Sequence, residues 1–413
     1  MKAERPRRAG VVRGRLGTAM ALAVAVLLAF GCAGRGAPDL LGGDPRGSEL
    51  GRLVDSEPAR RLLADLLARR PPDPRLAAMA PTLLGSALAP GRGTSSEDLG
   101  RLPDQARLRE LGLEVSMDFA ALAFARAIGA DERSRTVQAA FGRFVLDGTA
   151  RSEESLQRSG AFPYTVLFAP AWLYRSHPEN GGDFARQRQL LDRLGIVNRL
   201  VASAESASVE DNAEAVAAAV REARGEGRGV ILVSTSKSGP EVALALSYLI
   251  TPTEAAGVVG WLNVGGALGG TPLVDTALRP PTSWLTRAFF WLWGRDIAGL
   301  ASMSTGPSRR RLIGARLPDS IAVLNLVAVP LSGSVGPKLR WSYEILCEHG
   351  PNDGAVLLAD SIWPGGVNLV ALGSDHFFAS LQENTSGLAL MRAMDLAVRL
   401  HRGRAWPVTA SGS

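Results

Sequence analysis

The chain is poor in the residues that build cross-links and metal centres. Only two cysteines, Cys32 and Cys347, occur in 413 residues. That is too few for a disulfide framework or a cysteine metal site. The four histidines, His177, His349, His376 and His401, show no ligand spacing such as His-Glu-x-x-His. A metal enzyme is therefore disfavoured, and neither metal nor cofactor is expected. Lysine is nearly absent, with three residues against 43 arginines, a bias that follows GC-rich codons rather than function. Long apolar runs are lacking too. One stretch near the N-terminus approaches membrane-span character, which excludes a polytopic membrane protein. What is present suits a globular chain: 46% of residues are hydrophobic and 21% charged. At about 150 residues per domain, the length allows one large domain and a smaller one.

The formal charge of +6 points to nucleic acid only until it is located. Lys2, Arg5, Arg7, Arg8, Arg13 and Arg15 against Glu4 put +5 of it in residues 1–31, leaving 40 basic and 39 acidic residues elsewhere. A body so close to neutral offers no electrostatic footprint for a phosphate backbone, so no nucleic-acid partner is expected.

The basic start leads into an uncharged run, TAMALAVAVLLAF at 18–30, and then Gly31-Cys32-Ala33-Gly34. That order is a signal peptide over 1–31, too short to span a bilayer comfortably. Small residues around a lone cysteine resemble the bacterial lipoprotein signal. The resemblance implies that Cys32 is lipidated and becomes the mature N-terminus; an ordinary secretory signal with an incidental cysteine is the alternative. Either way the protein is expected in the cell envelope, anchored to a membrane on the first reading.

Residues 32–60, rich in Gly, Pro and Arg, read as a tether. Two short helical patterns over 57–90 are broken by Pro71, Pro72 and Pro74, and 91–104 is a loop. Leu108, Leu111, Leu113, Val115, Phe119, Leu122 and Phe124, then Val137, Phe141 and Phe144, recur at helical spacing. A helical region over 61–160 follows, with no chemistry in it. From about 163 the texture changes. Strands are expected at 164–171, 198–204, 229–234, 257–264, 320–329 and 367–372. Helices are expected at 209–224, capped by Ser208 with Asp211, and at 240–249. Alternating elements with continuously apolar strands predict an α/β domain over 161–405, with a mostly parallel sheet and helices on both faces. An insert at about 270–318 interrupts it. There Trp284, Phe289, Phe290, Trp291 and Trp293 crowd one short helix, either as core or as a cap over an apolar pocket.

The chemistry gathers in three loops. The strand GVILVS runs into Thr235-Ser236-Lys237-Ser238-Gly239-Pro240 and a helix, the strand–turn–helix context of a nucleophile elbow. Ser234 and Ser238 stand where the pattern G-x-S-x-G has glycines, and both are small, as the tight turn requires. Ser236 is the nucleophile on this reading; a two-residue shift in register makes Ser238 the alternative. Asp353 lies in Asn352-Asp353-Gly354, and His376 follows the last strand in Ser374-Asp375-His376-Phe377. Asp353 can equally be a turn former, which leaves Asp360, Asp275 or Glu348 as the acid. His177 can contact substrate or be a polar loop residue.

Ser, Asp and His in this order, each after a strand, resemble the lipases and esterases of the α/β-hydrolase superfamily over about residues 163–403. The resemblance implies a Ser236–His376–Asp353 triad that cleaves carboxylic esters of small molecules or lipids through an acyl-enzyme. It implies an oxyanion hole of the Lys237 amide and the amide of Ala171 or Trp172, because Pro170 has none. The superfamily's two leading antiparallel strands have no counterpart in 105–162, so a sheet shortened to about six strands is one expectation and overlooked weak strands the other. Two other readings remain: an acyltransferase or thioesterase with the same triad, or a non-catalytic envelope protein on the same scaffold. The sequence leaves the oligomeric state open.

Overall fold

The computed structural model describes residues 53–69, 102–157, 162–378, 381 and 383–403. The signal segment, Cys32, most of the tether and residues 70–101 lie outside them.

Six strands form one sheet: β1 Tyr164–Ala169, β2 Asn198–Leu200, β3 Gly229–Thr235, β4 Val258–Val264, β5 Ala322–Val329 and β6 Val367–Leu372. Their order is β2-β1-β3-β4-β5-β6 and every pair is parallel. The α/β architecture read from the sequence is therefore present. The described residues contain no leading antiparallel pair, and α-helices occupy that stretch. The expected strand at 198–204 is only three residues long, because it sits on the sheet edge and pairs on one side.

Alternate strand residues enter different cores, which explains why the strands read as unbroken apolar runs. Val166, Phe168, Ile231, Val233, Leu324 and Leu326 face one side. Leu167, Ala169, Val230, Leu232 and Val323 face the other. Helices α4 Glu132–Gln157 and α14 Glu383–His401 cover the first side. Helices α6 Val209–Arg224 and α7 Ser238–Leu244 cover the second. Ser208 caps α6 by accepting from the Asp211 amide, and its hydroxyl donates to the Asp211 carboxylate (2.7 Å). The expected helix at 240–249 begins at Ser238, two residues earlier, and ends in a π-helical turn at Ala245–Leu249.

Helices α1 Glu57–Arg69, α2 Gln105–Glu114 and α3 Met117–Ala130 pack as a separate apolar cluster against the ends of β5 and β6, through Val327, Val329, Val370 and Leu372. The connection from β4 to β5 carries four helices: α9 Pro272–Leu278, α10 Thr282–Leu292, α11 Ala298–Ala301 and α12 Thr305–Leu312. The remaining helices are α5 Ala185–Arg193, α8 Pro252–Ala255 and α13 Arg340–Cys347. The strand order turns back between β1 and β3, and a crevice outside the carboxyl ends at such a switch point is where open α/β sheets bind ligands.

Candidate active site

Ser236 follows β3 directly and has φ +53°, a left-handed conformation that an L-residue with a side chain rarely adopts. The turn is held from several sides. The Ser236 amide donates to the Val264 carbonyl, and its own carbonyl accepts from the Gly239 and Ala267 amides (3.1 and 2.9 Å). The two serines flanking it have structural partners. Ser234 Oγ accepts from Trp261 Nε1 (2.8 Å). Ser238 Oγ donates to the Ala169 carbonyl (2.7 Å) and accepts from the Thr235 amide (2.9 Å). Ser238 thus ties the elbow to the end of β1, and its hydroxyl bonds to the Ala169 and Thr235 carbonyls rather than to the histidine. Gly239 is required by contact: a Cβ there would lie 2.8 Å from the Gly266 backbone.

Ser236 Oγ lies 3.1 Å from His376 Nε2, and His376 Nδ1 lies 2.7 Å from Asp353 Oδ2. All three residues are buried. The second Asp353 oxygen accepts from the Ala355 and Val356 amides (2.9 and 2.7 Å), which fixes the plane of the carboxylate. The His376 amide donates to the Asp353 carbonyl (2.9 Å), so the two loops are also joined by backbone. Gly265, at φ +53°, lies against this histidine; a Cβ there would stand 3.1 Å from the Phe378 ring and 3.7 Å from His376 Nδ1. Burial by itself lowers the imidazole pKa, but the Asp353 charge and hydrogen bond, with a contribution from Asp375, carry it above its ordinary value of 6.5.

The carboxylates of Asp275 and Asp360 are engaged elsewhere. Asp275 accepts from Thr305 (2.5 Å), and Asp360 pairs with Arg309 (3.1 Å). The Glu348 carbonyl accepts from Arg109 Nε (2.7 Å). Asp375 bonds to the Gly336 amide (3.0 Å), fastening the histidine loop to the segment after β5. His177 pairs with Glu179 near the surface (3.1 Å). His401 bonds to the Asp319 carbonyl through Nε2 (2.5 Å).

The amides expected around the hydroxyl differ in their partners. The Ala171 amide donates to the Gly182 carbonyl (2.8 Å), so that N–H is spent within its own loop. The Lys237 amide makes no backbone hydrogen bond among the described residues. Trp172, in the loop after β1, is buried and stacks on Phe290 of α10, with ring centroids 6.1 Å apart. Leu173, Ala267, Leu273, Val274, Ala355 and Val356 join the same apolar cluster. The inner face of the insert therefore packs on the loop after β1, the segment after β4 and the turn that follows Asp353.

Two arrangements were not anticipated from the sequence. The Lys237 side chain turns inward to a buried ion pair with Glu241, which also accepts from Asn212 Nδ2 (2.9 Å); the four-residue spacing on a helix was the available signal. Asn263, Asn325 and Asn368 sit in register on β4, β5 and β6 and bond side chain to side chain across the sheet (3.0 and 2.9 Å). Nothing in an apolar run announces such a ladder. Among the described residues no group of three His, Cys, Asp or Glu side chains could hold a metal ion.

No protein-family model matches the chain, and no curated protein does. Among solved structures it is similar to a metagenomic carboxyl esterase, at 21% identity over 78% of this chain and 99% of that one, with a TM-score of 0.48. It is similar to a Bacillus licheniformis lipase in mature form, at 23% identity over 54% of this chain and 87% of that one, TM-score 0.43. Lipase 1 from Pelosinus fermentans matches at 13% identity over 56% of this chain and 98% of that one, TM-score 0.41.

Proposed function

We propose that the protein is a serine hydrolase that cleaves carboxylic esters through an acyl-enzyme. The observation that carries the reading is the continuous relay from Ser236 Oγ through His376 (3.1 Å) to Asp353 (2.7 Å), set at the end of a central strand with the serine in a left-handed turn. Ser236 Oγ attacks the ester carbonyl carbon while its proton passes to His376 Nε2. Asp353 holds the imidazole so that Nε2 faces the serine, and it stabilises the imidazolium that forms. The carbonyl oxygen takes the negative charge and is met by the Lys237 amide, with a second donor from the loop after β1. Collapse of the tetrahedral intermediate breaks the bond to the alcohol, which leaves with the proton from His376. Water then attacks the acyl-enzyme, again losing its proton to His376, and the carboxylic acid departs as Ser236 recovers its proton.

The apolar cluster of Trp172, Leu273, Val274 and Phe290 beside the elbow favours an apolar acyl group, from a small-molecule or lipid ester. The sequence adds a place to this reading: export to the cell envelope, with Cys32 as the lipid-bearing residue.

A fluorophosphonate probe tests the proposal directly. The wild-type chain is expected to be labelled at Ser236. Ser236→Ala and His376→Ala are expected to lose labelling and to cut kcat on a short-chain ester on the order of 10⁶-fold, with melting nearly unchanged. A well-folded wild type that neither labels nor turns over esters sinks the proposal in favour of a non-catalytic scaffold.

A further inference from the structure

Helix α10 is apolar on two faces, and the site accounts for only one of them. Phe290 and Thr286 are buried and hold the helix to the body of the protein. On the opposite side Trp284 is 57% exposed, Trp291 78% and Leu292 76%. Arg287 and Ala288 are exposed between them. Positions 284, 287, 288, 291 and 292 have the spacing of one helical stripe. Such large side chains are rarely left together in water, and their inward neighbours show that the helix is not simply rotated out of a core.

The charges say what covers this stripe. Between residues 276 and 294 the only charged side chains are Arg279 and Arg287. Both are exposed, and neither forms an ion pair among the described residues. Tryptophan and leucine beside arginine, with no acid, form the composition that lies flat in the headgroup region of an anionic membrane. A second copy of the chain fits less well. Three side chains of this size offer on the order of 400 Å², about half of the 800 Å² per partner that a stable interface uses. Two-fold pairing along so short a helix would also set Arg287 near its own copy.

We propose that the outer face of α10 is a peripheral docking surface for an anionic lipid bilayer. Trp284, Trp291 and Leu292 enter the interface, and Arg279 and Arg287 meet the phosphate groups. The contact lies in the plane of the membrane: among the described residues no helix is long and apolar enough to cross one. This inference does not depend on the catalytic reading, because docking is measured without turnover.

The test uses the full chain with phosphatidylcholine vesicles carrying brominated acyl chains, with and without phosphatidylglycerol. Bromine within the bilayer is expected to quench tryptophan fluorescence, and the quenching to be lost in Trp284→Phe/Trp291→Phe, which keeps the apolar surface. Reading depth at these two residues separates them from any anchor at the N-terminus. Trp284→Ser/Trp291→Ser/Leu292→Ser is expected to weaken vesicle binding through this face at least tenfold, with melting temperature and turnover of a soluble short-chain ester unchanged. Arg279→Gln/Arg287→Gln is expected to remove the preference for phosphatidylglycerol. Quenching that is absent, or that survives the double Phe substitution, overturns the proposal. So does sedimentation showing a dimer that Trp291→Ser dissolves, which would assign the face to a second copy.

Discussion

Ser236 holds its place in the turn after β3 at a conformational cost. A left-handed φ costs an L-residue with a Cβ roughly 1–2 kcal/mol, and glycine escapes it. Replacing Ser236 by Ala should leave that strain in place; replacing it by Gly should release it. Both variants are expected to lose activity, and Ser236→Gly to be the more stable by about 1 kcal/mol in urea unfolding. A glycine variant less stable than the alanine variant would mean the turn is not strained. His376 supplies a second test at this scale. Only the neutral imidazole can take the serine proton, and its pKa is raised above the ordinary 6.5. The acid limb of kcat/KM should therefore lie above pH 6.5. In Asp353→Asn the residual activity, reduced about 10⁴-fold, should show that limb at lower pH. The stability linkage runs the opposite way. With the folded value raised, the histidine's contribution is full below its unfolded pKa and fades as pH rises through the folded one, so activity appears where this stabilisation is lost. At the residue scale Ser236 and His376 could be singled out because each follows a strand, whereas Asp353 comes after helix α13 and was marked only by its Asn-Asp-Gly turn. The register of the elbow was not legible. Ser236 and Ser238 are alike in a line of text; in the fold Ser238 Oγ bonds to the Ala169 carbonyl, 69 residues away, while Ser236 Oγ faces His376.

At the scale of elements, β6 was read to the residue and β3, β4 and β5 nearly so, because strands buried on both faces are written as unbroken apolar runs. The edge strand β2 was overextended, since apolar side chains continue past its last ladder bond. The aromatic helix could be found but not oriented: with large side chains all round, its periodicity does not say which face is inward. The partner of the Ala171 amide was out of reach for a similar reason, since Gly182 lies in a turn that no local pattern announces. The same loop is tied to the insert at a second point. Glu205 accepts from the Ser176 amide and hydroxyl and pairs with Arg295, which follows α10 and also reaches Ser176 Oγ. Arg295→Met should leave Glu205 unpaired and loosen the loop after β1. We expect kcat on a soluble ester to fall between about 10- and 100-fold with KM little changed, and Arg295→Lys to restore part of it. A change confined to KM would mean that the tie shapes the binding site and does not hold the loop.

Across the whole molecule, one buried carboxylate joins the N-terminal helices to the sheet. Asp118, on α3, accepts from the Ser332 amide (2.8 Å) and hydroxyl (2.8 Å) and from the Asp55 amide (2.7 Å). The Gly333 amide donates to the Leu53 carbonyl beside it (2.8 Å). The segment after β5 continues to Gly336, which holds Asp375 next to His376, so the N-terminal helices brace the loop that carries His376. Burial first, and the Asp55 charge second, raise the Asp118 carboxyl from 3.8 to about 6. The sign follows directly. The folded state holds a proton that the unfolded chain has released between these two values, so the contribution of this group to stability is full below about pH 4 and is lost as pH rises through about 6. Two units correspond to about 3 kcal/mol as an upper figure. Urea midpoints of the wild type are therefore expected to lose this contribution from pH 4 to pH 6, and the Asp118→Asn variant, unable to titrate there, should lack that component of the slope. If wild type and variant keep parallel midpoints across this range, Asp118 is ionised throughout. The three donors around it would then outweigh its burial, and the brace would be an anion held by hydrogen bonds at every pH at which the protein folds.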